Sequence, residues 1–331
     1  MAQLVAVTLI FIGAAAPPKK QTAPKRPTAR HQKARPAPTV PPLECGDYLS
    51  FQVLLDRQGF SPGEIDDRPG PNLTHALAAM QSVRNLPQTG EPDCDSWHAL
   101  AGDQAGDLIA EYTVTEADLK GPFETNIPRN LVQQAELPAL GYRSPLERLG
   151  EKFHASPALL QRMNPRTAIA AGATLRVPAV EPFDPAAKPT PDPLRDEVAI
   201  VVSKESSALR ATRADGTLVF FAPVTTGSEH DPLPLGDWKV TGTRWYPKFH
   251  YNPQLFWDAS EGDRHATIAA GPNNPVGVIW INLNLEHYGL HGTPEPGHVG
   301  HTESHGCVRL TNWDAVRVAA LVKPGTPVRF E

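Results

Sequence analysis

The chain has 331 residues, enough for two or three domains at roughly 100–200 residues each. Its 40% hydrophobic and 20% charged content is that of a soluble globular protein, neither a membrane bundle nor a disordered chain. The net charge is −5, but seven of the 31 basic residues and none of the 36 acidic ones fall in residues 1–43. The remainder is therefore strongly acidic, which argues against a nucleic-acid partner.

Residues 4–16 (LVAVTLIFIGAAA) form an apolar run ending in three alanines. The run suits a signal-peptide core with an A-x-A cleavage site near Ala16 and is short for a membrane span of about twenty residues. No Lys or Arg precedes it, whereas Lys19 and Lys20 follow it, so an uncleaved anchor remains an alternative. Either way the chain is expected to be exported to the periplasm or cell envelope. Residues 17–43 hold eight prolines and no aromatic residue. Such a segment cannot bury a core and favours extended conformations, so it reads as a basic tether. Contact of that arm with anionic lipid or wall polymer is the second reading.

Residues 44–104 read as a small three-helix module. Asp47–Arg57 has apolar residues at helical spacing (Leu49, Val53, Leu54), and residues 59–71 are rich in breakers. Asn72 is expected to cap a second helix over Leu73–Val83, with Leu77 and Met80 inward, and Asp95–Leu100 gives a third. Cys45 and Cys94 bracket the module, and in an exported protein such a pair predicts a structural disulfide. The alternative is two unpaired structural cysteines. Residues 110–180 predict a strand at Tyr112–Val114, helices at Pro145–Phe153 and Pro157–Met163, and a strand at Thr174–Val177. Residues 181–195 carry five prolines and read as a second linker.

From residue 196 to 331 the pattern turns to short strands: Glu197–Ser203, Thr217–Thr226, Gly236–Thr243, Val276–Asn282, Tyr288–His291 and Thr326–Phe330. Asp-Gly at 215–216 marks a hairpin, and Thr311 with Asp314 caps one helix to Val322. Many strands and few helices predict a mainly β domain, a sandwich or barrel. The aromatic-rich insertion Arg244–Asn274 has loop composition and is a candidate lid, although core packing of its rings is an equal reading.

The chemistry concentrates in residues 289–314, GLHGTPEPGHVGHTESHGCVRLTNWD, with four histidines and Cys307. Cys307 is the only cysteine of the C-terminal half. A lone Cys with His nearby is a candidate nucleophile, but a thiol needs a base or a positive field to act. His291 is sixteen positions upstream and His305 two. Gly292 and Gly306 let the backbone bring N–H groups onto a reacting carbonyl. Asn312 reads as a structural hydrogen bonder. His298 and His301 read as exposed loop residues. A zinc site made of His291, His298, His301, His305 and Cys307 is the rival reading, but the spacing fits no standard zinc pattern. A non-catalytic wall-binding protein is the third.

The string Ser304-His305-Gly306-Cys307-Val308-Arg309, with Asn312 beyond it and His291-Gly292 before it, resembles the signature of L,D-transpeptidase catalytic domains of the YkuD type. Residues 270–277 (AGPNNPVG) resemble a block of the periplasmic branch of that family. The helix–loop–helix order of 44–104, with Trp97, resembles a peptidoglycan-binding module. Residues 110–180 resemble a LysM module interrupted by about thirty extra residues, 116–144. The resemblance implies Cys307 as nucleophile, His291 as base with its second nitrogen held by a backbone carbonyl near Gly292, and the N–H groups of Gly306 and Cys307 as candidate oxyanion donors. It places Ser304, His305, Arg309 and Tyr288 among the substrate contacts. It implies no cofactor and no metal. It implies peptidoglycan stem peptides and glycan as partners, an envelope protein as a possible acyl acceptor, and carbapenem-type β-lactams as inhibitors. The acceptor amine stays open, and hydrolysis in the same site is the alternative reaction.

Overall fold

The computed structural model describes residues 42–304 and 306–331, so the apolar run, the arm up to Pro41 and His305 lie outside the described residues. Helix α1 (Tyr48–Arg57) begins where Asp47 accepts from the N–H of Ser50 at 2.7 Å. Helix α3 (Cys94–Ala99) begins where Asp93 accepts from Ser96 at 2.8 Å. Between them, α2 (Pro71–Val83) is not capped by Asn72. Gly70 holds the cap position, and Pro71 fills the first turn, where its missing N–H costs nothing. Asn72 instead donates from Nδ2 to the carbonyl of Val299 at 2.9 Å, deep in the C-terminal domain. Phe51, Leu55, Leu77, Met80 and Trp97 form the core of this module. A disulfide joins Cys45 to Cys94 and leaves Cys307 free.

The second module runs β1 (Ile109–Thr113), α4 (Leu131–Gln134), α5 (Pro145–Lys152), α6 (Pro157–Met163) and β2 (Thr174–Pro178). Strands β1 and β2 pair antiparallel, Ile109 with Pro178 through Thr113 with Thr174. Helices α5 and α6 each start with a proline behind a serine cap, Ser144 accepting from Glu147 and Ser156 from Leu159. Leu149, Phe153, Leu160 and Val177 share one core with Val53 and Ile65 of the first module.

The C-terminal domain contributes β3 (Val198–Ser203), β4 (Ala208–Arg213), β5 (Leu218–Pro223), β6 (Gly236–Trp245), β7 (Phe249–Tyr251), β8 (Ala266–Ile268), β9 (Ile279–Leu283), β10 (Gly289–His291), β11 (Val308–Arg309), α7 (Asn312–Leu321) and β12 (Pro327–Phe330). Eight strands form one sheet in the order β11-β10-β9-β6-β12-β3-β4-β5, while β7 and β8 pair apart. Burial alternates along β3 and β9, one face inward. Past β5 the chain reaches the opposite edge: Thr225 and Arg309 exchange N–H···O bonds of 3.0 and 2.9 Å. The sheet is thus curled until its edges meet, and Ala315, Val318 and Leu321 of α7 are buried within its core. A mainly β domain behind two small modules is the predicted fold class.

The modules do not hang apart; Pro42–Glu331 is one unit. Phe221 of β5 is bonded through its backbone to Gly59 and Ser61 at 2.9 Å each. Leu140 exchanges backbone bonds with the 270–273 loop, at 3.3 and 3.0 Å, where a Cβ on Gly271 would stand 2.0 Å from its carbonyl oxygen. Only glycine permits that approach. The Pro-rich stretch expected as a linker lies along the body, with Phe183 buried against Val278 and Trp313.

Where the modules meet, the carboxyl groups of Glu151 and Asp314 are buried and that of Glu64 is half-buried. Burial, reinforced for Glu64 by Asp66, pushes Glu64 and Glu151 up to about 7. Burial likewise pushes Asp314 up to about 6. A folded value above the unfolded one means stability that is full below the ordinary carboxyl range and lost as pH rises through 6–7. From pH 6.5 to pH 8 the loss comes to about 2 kcal/mol, lowering the melting temperature by about 5 °C. Calorimetry at the two pH values checks this, and Glu64→Gln with Glu151→Gln should flatten the slope. A melting temperature that rises over that interval contradicts it.

Candidate active site

The site is built where β10 and β11 run parallel, with Leu290 opposite Val308 and His291 opposite Arg309. Paired residues of a parallel ladder face the same side and alternate residues return to it. His291 and Arg309 therefore share one face, and the Cys307 thiol, one residue before β11, lies against the Gly289 N–H and the Arg309 charge. The turn that delivers Cys307 needs Gly306: its φ is +94°, and a Cβ there would lie 2.6 Å from the Tyr288 ring. Ser304 fastens the turn from inside, its Oγ donating to the Cys307 carbonyl at 2.6 Å and its N–H to Thr226 at 2.9 Å. Beyond β11 the chain enters α7 at once, with Thr311 as cap accepting from Asp314 at 3.1 Å.

His291 is 3% exposed, and its Nδ1 is 2.7 Å from the carbonyl oxygen of Gly292. A carbonyl only accepts, so Nδ1 carries the hydrogen and Nε2 keeps its lone pair. The ring stacks on Trp280 of β9, centroids 5.2 Å apart. Burial, with the positive Arg309 adding to it, pushes His291 down to about 3. Burial pushes the Cys307 thiol up to about 11, against the Gly289 N–H and Arg309, which both favour thiolate. Cys307 is half-buried and not sealed off, with Sγ 3.5 Å from the His287 carbonyl. At neutral pH the site therefore rests as a neutral thiol and a neutral imidazole, whose Nε2 lone pair is there to accept a proton although burial and Arg309 weaken it as a base.

Three cavities surround this face. His291 and Arg309 open on one of about 490 Å³, walled by Asn130, Tyr251, Phe256 and Asp263. Arg309 also borders a second of about 480 Å³, with Arg129, Gln134, Thr225 and Glu295. Tyr288 and His287 border a third of about 670 Å³, with Trp280, Phe249, Trp257 and Arg244. Phe249, Tyr251, Phe256 and Trp257 of the candidate lid thus line cavities, and Tyr251, itself buried, donates to Asp263 at 2.8 Å. The wall at 127–134 comes from the insertion in the second module and has no counterpart among the sequence-derived site residues.

Of those residues, Cys307, His291, Gly292, Gly306, Arg309 and Tyr288 are brought together. Ser304, expected to touch substrate, is turned inward and 3% exposed, because its hydroxyl is spent on the motif loop. Asn312 is structural: its Oδ1 accepts from Val278 N–H at 3.1 Å, and its Nδ2 donates to Pro272 at 3.1 Å and Glu151 at 2.6 Å. His305 lies outside the described residues. His298 is exposed and paired with Glu295 at 2.6 Å. Among the described residues, no three His, Cys, Asp or Glu side chains stand together in a way that could hold a metal ion.

Residues 197–329 match the family described as the L,D-transpeptidase catalytic domain, and residues 47–100 the "Putative peptidoglycan binding domain". The C-terminal domain belongs to the L,D-transpeptidase family. The "Putative L,D-transpeptidase YkuD" of Bacillus subtilis is 42% identical over 57 residues, 17% of this chain and 35% of that protein. The chain thus spans about a third of the length of the first curated relatives it matches. The "Putative L,D-transpeptidase YqjB" of Bacillus subtilis is 29% identical over 143 residues, 41% of this chain and 73% of that protein. An L,D-transpeptidase structure from Mycobacterium smegmatis covers 50% of this chain and 76% of its own at 16% identity and a TM-score of 0.34. Residues 197–329 hold every described residue of the motif, and the Glu151 carboxylate reaches Asn312 from outside that match.

Proposed function

We propose that the protein is an exported cysteine L,D-transpeptidase of peptidoglycan. The observation that carries this reading is His291, with its Nδ1 committed to the Gly292 carbonyl, on the strand whose Gly289 N–H and paired Arg309 lie against the Cys307 thiol, inside the matched domain. The Cys307 sulfur attacks the carbonyl at the L-centre of diaminopimelate in a tetrapeptide stem while Nε2 of His291 takes the thiol proton. The N–H groups of Gly306 and Cys307 steady the oxyanion, each such donor being worth about 3 kcal/mol. The tetrahedral intermediate collapses to the thioester, and D-Ala leaves with the proton that His291 returns. An amine of a second stem, or of an envelope protein, then attacks the thioester, giving up a proton to His291 and releasing the thiol. Arg309, bordering two cavities, attracts a stem carboxylate. The helical module and the βααβ module bring the site to the wall, the first by its family match, the second by its LysM-like order. The same nucleophile would make carbapenem-type β-lactams acylating inhibitors.

Incubation of the purified protein and Cys307→Ala with muropeptide tetrapeptides, read by mass spectrometry, tests the reading. Loss of 71 mass units plus water, roughly that of D-Ala, together with a new dimer, is the expected result for the wild type alone. Release of D-Ala without a dimer would assign hydrolysis or a protein acceptor. Equal products from both proteins would overturn the role of Cys307.

A further inference from the structure

We propose that Glu151, carried by the second module, is a positioning residue of the catalytic centre: through Asn312 it fixes the Gly292 carbonyl that orients His291. A continuous buried path supports this. The Tyr142 hydroxyl donates to one carboxylate oxygen of Glu151, and Asn312 Nδ2 donates to the other at 2.6 Å. The Asn312 carboxamide is lodged between two glycine backbones. A Cβ on Gly292 would come within 2.1 Å of Asn312 Oδ1, and one on Gly277 within 2.0 Å. The Gly292 carbonyl then accepts from His291 Nδ1 at 2.7 Å. Tyr142, Glu151, Asn312 and His291 are all buried, where a low local dielectric strengthens these bonds.

The path crosses a domain boundary, because Glu151 lies outside the 197–329 match. It is also not an isolated contact. His154, three residues on, stacks on Trp313 at 4.9 Å and is bonded to Asp56 of α1 at 2.9 Å. Ser61 donates to Asp314 at 2.9 Å. Both N-terminal modules thus grip residues 312–314, directly after the reactive motif. A shift of Asn312 moves Gly292, and with it the aim of Nε2; misplacement of a reacting group by about 1 Å can cost on the order of 100-fold in rate.

This inference rests on His291 acting as the base, and its test needs no peptidoglycan. With Cys45 and Cys94 in a disulfide, Cys307 is the one free thiol of three cysteines, so alkylation by iodoacetamide reads it alone. His291→Ala sets the floor. Glu151→Ala is expected to slow alkylation at pH 7.5 by about tenfold. Glu151→Gln, whose side-chain oxygen still accepts from Asn312, should stay within about twofold of the wild type. Asp118→Asn is the control: that carboxylate is bonded to Lys152 and Tyr112 in the same module and has no link to Asn312. It should lower the melting temperature and leave the rate unchanged. Wild-type alkylation in Glu151→Ala, or an equal loss in Asp118→Asn, overturns the proposal. Should Glu151→Ala not fold, Glu151→Asp decides in its place, because a side chain one methylene shorter cannot reach Tyr142 and Asn312 together; a wild-type rate there overturns the proposal equally. A wild type that releases no D-Ala would defeat the transpeptidase reading and leave the alkylation result standing.

Discussion

His291→Ala is expected to lower acyl-enzyme formation by about 10²- to 10⁴-fold, the usual contribution of a positioned general base. Cys307→Ala should abolish it. The size follows from the resting state: with the thiol pushed up to about 11, very little thiolate exists at neutral pH, so the proton must leave during attack. The same protonation states set the pH profile. His291 is neutral down to about 3, so the rate should be nearly flat from about pH 5 to pH 9. An enzyme that rests as a thiolate–imidazolium pair would instead show two limbs near neutrality. Single-turnover acylation, followed by intact-protein mass spectrometry across that range, separates the two. A limb with a midpoint near 6.5 would refute the neutral pair, and a loss under tenfold in His291→Ala would refute the base.

Much of this was legible in the sequence because the relevant signals are local. The two-residue periodicity of Val198–Ser203, the proline-led helices behind Ser144 and Ser156, and the Thr311–Asp314 cap each depend on neighbours a few residues away. The motif from His291 to Asn312 was visible for the same reason. What remained hidden depends on distant partners. Asn72 looks like a helix cap, yet Pro71 already starts the helix and Val299 offers a carbonyl in a buried seam. Ser304 looks like a substrate contact because its neighbours are reactive, but the tight turn at Gly306 rotates it inward. Glu151 gives no sign at all: on α5 it reads as one more charged residue of a short amphipathic helix. Its function appears only when α5 is laid against α7. The insertion at 116–144 reads as a defect in a LysM pattern, whereas in the fold Leu140 clamps the 270–273 loop and Arg129 and Gln134 wall a cavity beside Arg309.

Asn312→Asp is expected to produce the largest loss of stability of any isosteric change near the site. The new carboxylate still accepts from Val278, but it no longer donates to Pro272 or Glu151. It also places a second acid against a carboxylate already pushed up to about 7 by burial. Leaving two buried acceptors without their donor costs about 1–3 kcal/mol each, here a fall of about 10 °C in melting temperature. The sign of the pH dependence is fixed. Two buried carboxyl groups in contact must keep one proton between them, so the folded state holds it to higher pH than the unfolded chain does. The deficit should therefore be smallest near pH 5 and should grow towards pH 8. Glu151→Gln in the same molecule reverses the pair, its amide donating to the new carboxylate. Most of the loss should return, with a coupling of about 2 kcal/mol in the double-mutant cycle. The unpaired Pro272 carbonyl keeps the rescue incomplete. Simple additivity of the two changes would mean that the bond from Asn312 to Glu151 carries no stability, and the buried path from Tyr142 to His291 would then end at Asn312.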